Sequence, residues 1–169
     1  MATVPKQARF ALYAHGSLHR IGRVQIRQAA PADAVAIDRL VQRAYEPYVA
    51  RIGMRPGPMD HDYREKVEKC DVFVAVDDDL VGVLVLVPLP DHVLLENVAV
   101  DPARQGEGIG GSLLAFAEAR AKEIQKPTLR LYTHTAMTEN IALYLRLGYE
   151  ERERRSEAGF SRAFFVKQL

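Results

Sequence analysis

Four glycines, Gly106, Gly108, Gly110 and Gly111, stand between an apolar run ending at Val100 and a long amphipathic stretch. The valine-rich run reads as a buried strand, while Leu113, Leu114, Ala117 and Ala121 recur at helical spacing. The chain therefore passes from strand to helix through a turn with few side chains. Such a turn exposes backbone N–H groups at the positive end of a helix dipole, which makes an anion site without a formal charge. Glycine also lets a phosphate approach the backbone with no Cβ in the way. The competing reading is a tight strand-to-helix turn packed closely on the sheet.

The order of elements around this turn follows from periodicity and breakers. Residues 1–22 have mixed polarity and no clear period, and are expected to form an appended arm ahead of one domain over 23–169. Residues 24–27 begin the regular part as a short extended run. Pro31 and Asp33 mark a helix start, and Ile37, Leu40, Val41 and Ala44 give that helix one apolar face. Pro47 is expected to end or kink it. Residues 54–59 carry the glycine and prolines of a loop, and a short helix is expected over 62–69. Residues 72–76 and 80–87 flank Asp77, Asp78 and Asp79 as an antiparallel hairpin. The second of these runs is too apolar for a wet face, so it predicts a central strand. A third strand over 93–100 precedes the glycine turn. The helix after it runs to about residue 125 and is broken by Pro127. A strand over 128–132, a helix over 139–147 capped by Gly148, and a closing hairpin from 149–152 and 160–166 complete the chain. The expected fold is a mixed α/β, or α+β, domain: a mostly antiparallel twisted sheet of about six or seven strands flanked by about four helices. Its back half holds a βαβ unit.

The 169 residues suit one domain, and a net charge of +1 gives no bulk electrostatic reason to expect nucleic acid or an anionic membrane as partner. Cys70, the single cysteine, excludes an intramolecular disulfide and fits a reducing compartment. No stretch reaches the roughly 18–20 apolar residues of a spanning helix. The first residues lack the charged-then-apolar order of a signal peptide. A cytoplasmic enzyme or binding module without a metal is the expectation.

Three phosphate-binding patterns compete for the glycine turn. Gly106, Gly108 and Gly111 formally fit a dinucleotide fingerprint, but that fold places its glycines after the first strand and an acid about 20 residues on. Here several strands come first, and the next strand ends Leu131, Tyr132, Thr133, His134 with no acid. A P-loop needs lysine after its last glycine, whereas Ser112 and Leu113 follow Gly111. The third pattern fits: Gln105, Gly108 and Gly110 have the form Gln/Arg-x-x-Gly-x-Gly/Ala. This resembles the acyl-CoA pyrophosphate loop of the GNAT superfamily of N-acetyltransferases. Tyr144, Gly148 and Tyr149 resemble that superfamily's later Tyr-x-x-x-Gly-Phe/Tyr motif, and the element order over about 24–169 agrees with its fold.

The resemblance implies acetyl-CoA as co-substrate, with Val98 and Val100 pairing its pantetheine arm through main-chain groups. Gln105, Gly106, Gly108, Ile109 and Gly110 would wrap the pyrophosphate; Arg104 either assists or is solvated. A backbone N–H of the Val98 strand would polarise the thioester carbonyl. Transfer to an alkyl ammonium of pKa near 10.4 costs about 4–5 kcal/mol at pH 7 for deprotonation, and the departing thiolate benefits from a proton donor. Tyr144 occupies the donor position by resemblance; its plainer reading is a core aromatic. Glu96 is the leading base or amine-binding group, since strict alternation puts it on one strand face with Val98 and Val100. Pairing with a basic residue is its alternative. Asn97 and His134 have weaker claims. Many members carry asparagine seven positions before the tyrosine; Met137 stands there, and Asn140 lies only four before.

The acceptor would be framed by Tyr45 to Tyr48 and Asp60 to Tyr63, with Arg51 or Arg55 available to a substrate carboxylate or phosphate. It is a small-molecule amine or a protein amine. A non-catalytic acyl-CoA-sensing module on the same fold is the rival reading, and oligomeric state is open between monomer and homodimer.

Overall fold

The computed structural model describes residues 19–169, so the first eighteen residues of the expected arm lie outside the described residues. One sheet holds β1 (His19–Ile21), β2 (Val24–Gln28), β3 (Asp71–Asp77), β4 (Asp79–Pro88), β5 (Val93–Val100), β6 (Thr128–His134), β7 (Glu150–Glu157) and β8 (Phe160–Gln168). Its spatial order is β1-β2-β3-β4-β5-β6-β8-β7. Seven of these are the strands read from the sequence, and the three-residue β1 adds an edge. Neighbours are antiparallel except β5 and β6, which run parallel as a βαβ unit requires.

Among the described residues four α-helices cover the sheet: α1 (Ala34–Ile52), α2 (Tyr63–Lys69), α3 (Ile109–Glu123) and α4 (Thr138–Arg146). β4 is buried on both faces, as its unbroken apolar run predicts. Val83 and Val85 meet Ile37, Leu40 and Val41 of α1 and Tyr63 and Val67 of α2. Leu84 and Leu86 belong to the opposite core, with Leu113, Leu114, Ala117 and Ala121 of α3 and Ile141 and Tyr144 of α4. No described helix is long and apolar enough to cross a membrane.

Local chemistry explains the boundaries. The Asp33 carboxylate accepts the Ala30 N–H at 2.7 Å and pairs with Arg27 at 2.8 Å, which fixes the entry to α1. Pro47 does not end α1, which continues to Ile52. A proline leaves the carbonyl four residues earlier without its donor; Pro47 and Arg43, four residues before it, are both exposed, so water can take the donor's place. Gly53, at φ 80°, closes the helix in the left-handed conformation. Asp62 caps α2 by accepting the N–H groups of Arg64 and Glu65 at 2.9 and 3.1 Å. Ala158 and Gly159, both at positive φ, make the tight turn between β7 and β8.

Gly82 marks the closest approach of α3 to the sheet. A Cβ there would lie 3.0 Å from Leu113 Cδ1 and 3.3 Å from Ala75 Cβ, so Leu113 fills the space the missing side chain leaves. Leu113→Ala should therefore cost about 2–5 kcal/mol in denaturant unfolding with little change in slope. A loss below about 1 kcal/mol would mean that this contact is loosely packed.

Candidate active site

The site begins with an irregularity in β5. Val85 of β4 faces Asn97, and the next residue, Leu86, faces Leu95, so Glu96 is an extra residue without a partner. Such a bulge resets which side chains share a face. The parallel pairing of β5 with β6 also stops at Leu95 and Leu131. Beyond that point the two strands form no ladder, and the sheet opens between them.

A groove of about 510 Å³ lies along one side of this opening. Val98, Val100, Gln105, Gly106, Gly108, Ile109 and Gly110 all line it, and so does Tyr144. The structure thus brings together every residue expected at the pyrophosphate and pantetheine, with the candidate proton donor. Asn140, Leu143 and Arg146 of α4 line the same groove. Asn140, Leu143 and Arg146 recur every three residues, a helical spacing readable in the sequence.

The glycine turn is left open by the rest of the protein. Gly106 and Gly108 sit at φ 86° and 81°, where a side chain is strained. A Cβ at Gly106, Gly108 or Gly111 would meet no protein atom within 4 Å, and at Gly110 only Val100 at 3.7 Å. Close packing on the sheet, the competing explanation of the cluster, is absent at these positions. Gly108 is the N-cap of α3 and no side chain caps the helix, so its first N–H groups are left for a ligand or water. The loop is fastened from below. Asp101 accepts the Ala103 N–H at 3.0 Å and pairs with Arg43. Arg104 reaches Glu107 at 2.9 Å and Asp77 at 2.8 Å. These two carboxylates, Glu107 the stronger, push the Arg104 pKa up. Arg104 is accordingly a strut of the loop.

Tyr144 is 5 % exposed and packs edge-on against Tyr149, with Phe165 also beside it. Its hydroxyl makes no hydrogen bond among the described residues, and burial holds its pKa well above the ordinary phenol value. It is therefore both a core aromatic and a protonated hydroxyl at the groove wall.

Glu96 lies elsewhere than alternation predicted. The bulge removes it from the face of Val98 and Val100, and it lines a separate cavity of about 140 Å³. Both its oxygens accept from the Lys66 ammonium of α2 at 2.7 Å. His61, Tyr132, His134 and Arg162 line this second cavity with it, and Met137 does too. Tyr45 of α1 lines both cavities and is the one described residue common to their walls. A chain of hydrogen bonds fixes it: Tyr45 donates to Asn97 Oδ1 at 2.7 Å, Asn97 Nδ2 donates to Tyr63 at 3.0 Å, and Tyr63 donates to the Pro58 carbonyl at 2.9 Å. Asn97 is 2 % exposed, so its role is to hold the tyrosine at the junction. Burial, with neighbouring tyrosines adding to it, keeps the Tyr45 phenol far from ionisation.

The two histidines are uncharged at neutral pH. Burial, then Lys66, lowers the His61 pKa, and burial, then Arg162, lowers that of His134. His134 Nδ1 already accepts the Ala136 N–H at 3.1 Å, which puts the ring proton on Nε2. Arg51 and Arg55 do not serve the cavity. Arg51 binds Glu139 at 2.8 and 2.9 Å, and Arg55 binds Asp60 at 3.0 Å, both at the surface. Lys66 and Arg162 are the cations that sequence reasoning missed. Arg162 alternates with Phe160 and Phe164 along β8, but only the strand order puts that face beside Tyr132 and His134. Cys70 lines neither cavity. Among the described residues no three His, Cys, Asp or Glu side chains gather closely enough to hold a metal ion.

Residues 68–151 match the family model described as an acetyltransferase (GNAT) domain. The uncharacterized N-acetyltransferase YesJ of Bacillus subtilis (strain 168) is 28 % identical over 113 residues, 58 % of this chain. The chain spans 63 % of that relative's length. The PaiA N-acetyltransferase of Thermoplasma acidophilum, solved with coenzyme A, shares the fold at a TM-score of 0.71 and 18 % identity, over 86 % of this chain and 99 % of its own. A GNAT-family acetyltransferase of Listeria monocytogenes 4b F2365 does so at 0.70 and 19 %, over 90 % of this chain and all of its own. With the glycine loop, the opened sheet and the domain match agreeing, the chain belongs to the GNAT acetyltransferase family.

Proposed function

We propose that the protein is an N-acetyltransferase that moves the acetyl group of acetyl-CoA to a primary amine by direct attack in a ternary complex. The observation that carries this reading is the partition of the site: a groove with an uncapped helix start and open glycines, joined at Tyr45 to a small polar cavity. Acetyl-CoA, when bound, supplies the acetyl thioester. The N–H groups at the start of α3, with Gln105 to Gly110, would hold its pyrophosphate, and the Val98 and Val100 backbone would hold the pantetheine. Membership of the family supports the same reading.

Tyr144 is proposed as proton donor to the departing sulfur. Its raised pKa keeps it protonated at neutral pH, and its hydroxyl has no other described partner to release. Glu96 is proposed as the group that binds the incoming amine or takes its proton. Both its oxygens already accept from Lys66, and each keeps a second lone pair with which an incoming ammonium can be bound. Binding the amine's charge is therefore the first part of its role. Tyr45, Asn97 and Tyr63 keep a polar path open between the amine side and the thioester side.

Tyr144→Phe should lower kcat by about 10²-fold in a thiol-release assay while acetyl-CoA affinity barely changes. Unchanged turnover would retire the donor role. Gly108→Val tests the loop independently. Its cost to the fold should be about 1–3 kcal/mol of backbone strain, because no protein atom obstructs the new side chain. CoA binding measured by calorimetry should weaken at least tenfold, about 1.4 kcal/mol. Wild-type affinity would remove the loop from the phosphate site.

A further inference from the structure

The small cavity beside the groove has a charge imbalance that an amine alone does not satisfy. Its one carboxylate, Glu96, is held through both oxygens by Lys66. The two histidines in its wall are neutral. The remaining charge in its wall is the Arg162 guanidinium, whose side chain is 20 % exposed. A plain ammonium entering here would meet the Arg162 guanidinium and a carboxylate already paired with Lys66.

Arg162 is built as a fork. Its guanidinium lies 4.5 Å from the centre of the Tyr132 ring and 5.3 Å from that of Phe160, and both rings line the cavity. Stacking of this kind fixes the plane of the five N–H donors and lowers the entropy lost when they bind. One donor is used: Nη1 reaches Glu157 Oε2 at 2.6 Å. Glu157 is itself about half exposed and lies 3.8 Å from Arg155, so it is a screened and shared partner. The other donors of Arg162 have no hydrogen-bond partner among the described residues. A planar anion with two oxygens is the group that such a fork recognises, because two parallel charge-assisted bonds form at once.

We infer that this cavity selects an amine acceptor that also carries a carboxylate, which Arg162 binds while Glu96 faces the amine. The acceptor class is the free amino acids and small molecules of the same zwitterionic kind. Its two charges match the two charged groups of the cavity wall, Glu96 on β5 and Arg162 on β8. The volume of about 140 Å³ is below the roughly 300–1,000 Å³ of pockets that enclose drug-sized molecules, so it suits the charged end of a small acceptor. The inference rests on the acetyl-transfer reading, and it names the residue that sets specificity.

The test is a thiol-release assay with acetyl-CoA and the twenty amino acids, each beside its carboxamide, in wild type and in Arg162→Gln. The acids should exceed their carboxamides in kcat/KM by about tenfold or more, a charged hydrogen bond being worth about 1.5–3 kcal/mol. Arg162→Gln should collapse that preference to near one, and Arg162→Lys should restore part of it. Acetyl-CoA affinity and the thermal midpoint, measured on the same variants, separate this from a misfolded site. Equal rates for acids and carboxamides in wild type, or an equal loss for both in Arg162→Gln, would overturn the inference. Turnover of simple amines with none of the amino acids would also overturn it and leave acetyl transfer standing. No thiol release from any amine, despite acetyl-CoA binding, would defeat acetyl transfer itself.

Discussion

One inserted residue organises the site. With Glu96 unpaired against β4, the side chains of β5 on either side of it fall out of phase. Leu95 packs into the core beneath α3 and α4, Val98 and Val100 pack against that same core, and Asn97 turns toward α1 and α2. The parting of β5 from β6 follows immediately. A regular strand in this position would have continued the ladder and closed the sheet. Two cavities that share a tyrosine lie beside the bulge, one along α3 and α4 and the other between the connection from α1 to α2 and the strands β6 and β8.

The glycine loop depends on a different constraint. Positive φ at Gly106 and Gly108 folds the chain so that the α3 start is bare. No protein atom crowds the glycines, in contrast to Gly82, where Leu113 and Ala75 take up the space. The same residue type therefore serves two purposes in adjacent strands and turns: at Gly82 it admits a neighbouring helix, and in the loop it leaves room for a ligand. Asp101 holds the loop through the Ala103 N–H and Arg43, and Arg104 holds it through Glu107 and Asp77. That keeps the frame in place whether or not the groove is filled.

Much of the fold was legible in the sequence because period and breakers carry it. The strands 72–76, 80–87 and 93–100, the helix after the glycines and the closing hairpin follow from alternation, from apolar runs too long for a wet face, and from Asp, Gly and Pro at the turns. The glycine loop and Tyr144 were legible for the same reason, since each sits in a short motif at a fixed spacing. Glu96 was misplaced because a bulge leaves no mark on a period-two pattern. Pro47 was expected to end or kink α1, yet tertiary packing of Ile37, Leu40, Val41 and Ala44 carries the helix past it. Arg162 reaches the second cavity only through the strand order, in which β8 lies between β6 and β7, and Lys66 meets Glu96 of its wall from helix α2. Their partners are 30 residues away for Lys66 and set by sheet register for Arg162. Local sequence holds no information about either.

Acetyl transfer by this fold requires the groove between the opened strands and α3 to hold the pyrophosphate and pantetheine of acetyl-CoA. Calorimetric titration of the protein with acetyl-CoA, CoA and NAD in parallel tests it most directly. Saturable binding of both CoA species and none of NAD is expected. Absence of CoA binding would contradict it, and the glycines would then be the turn of a strand-to-helix connection and nothing more.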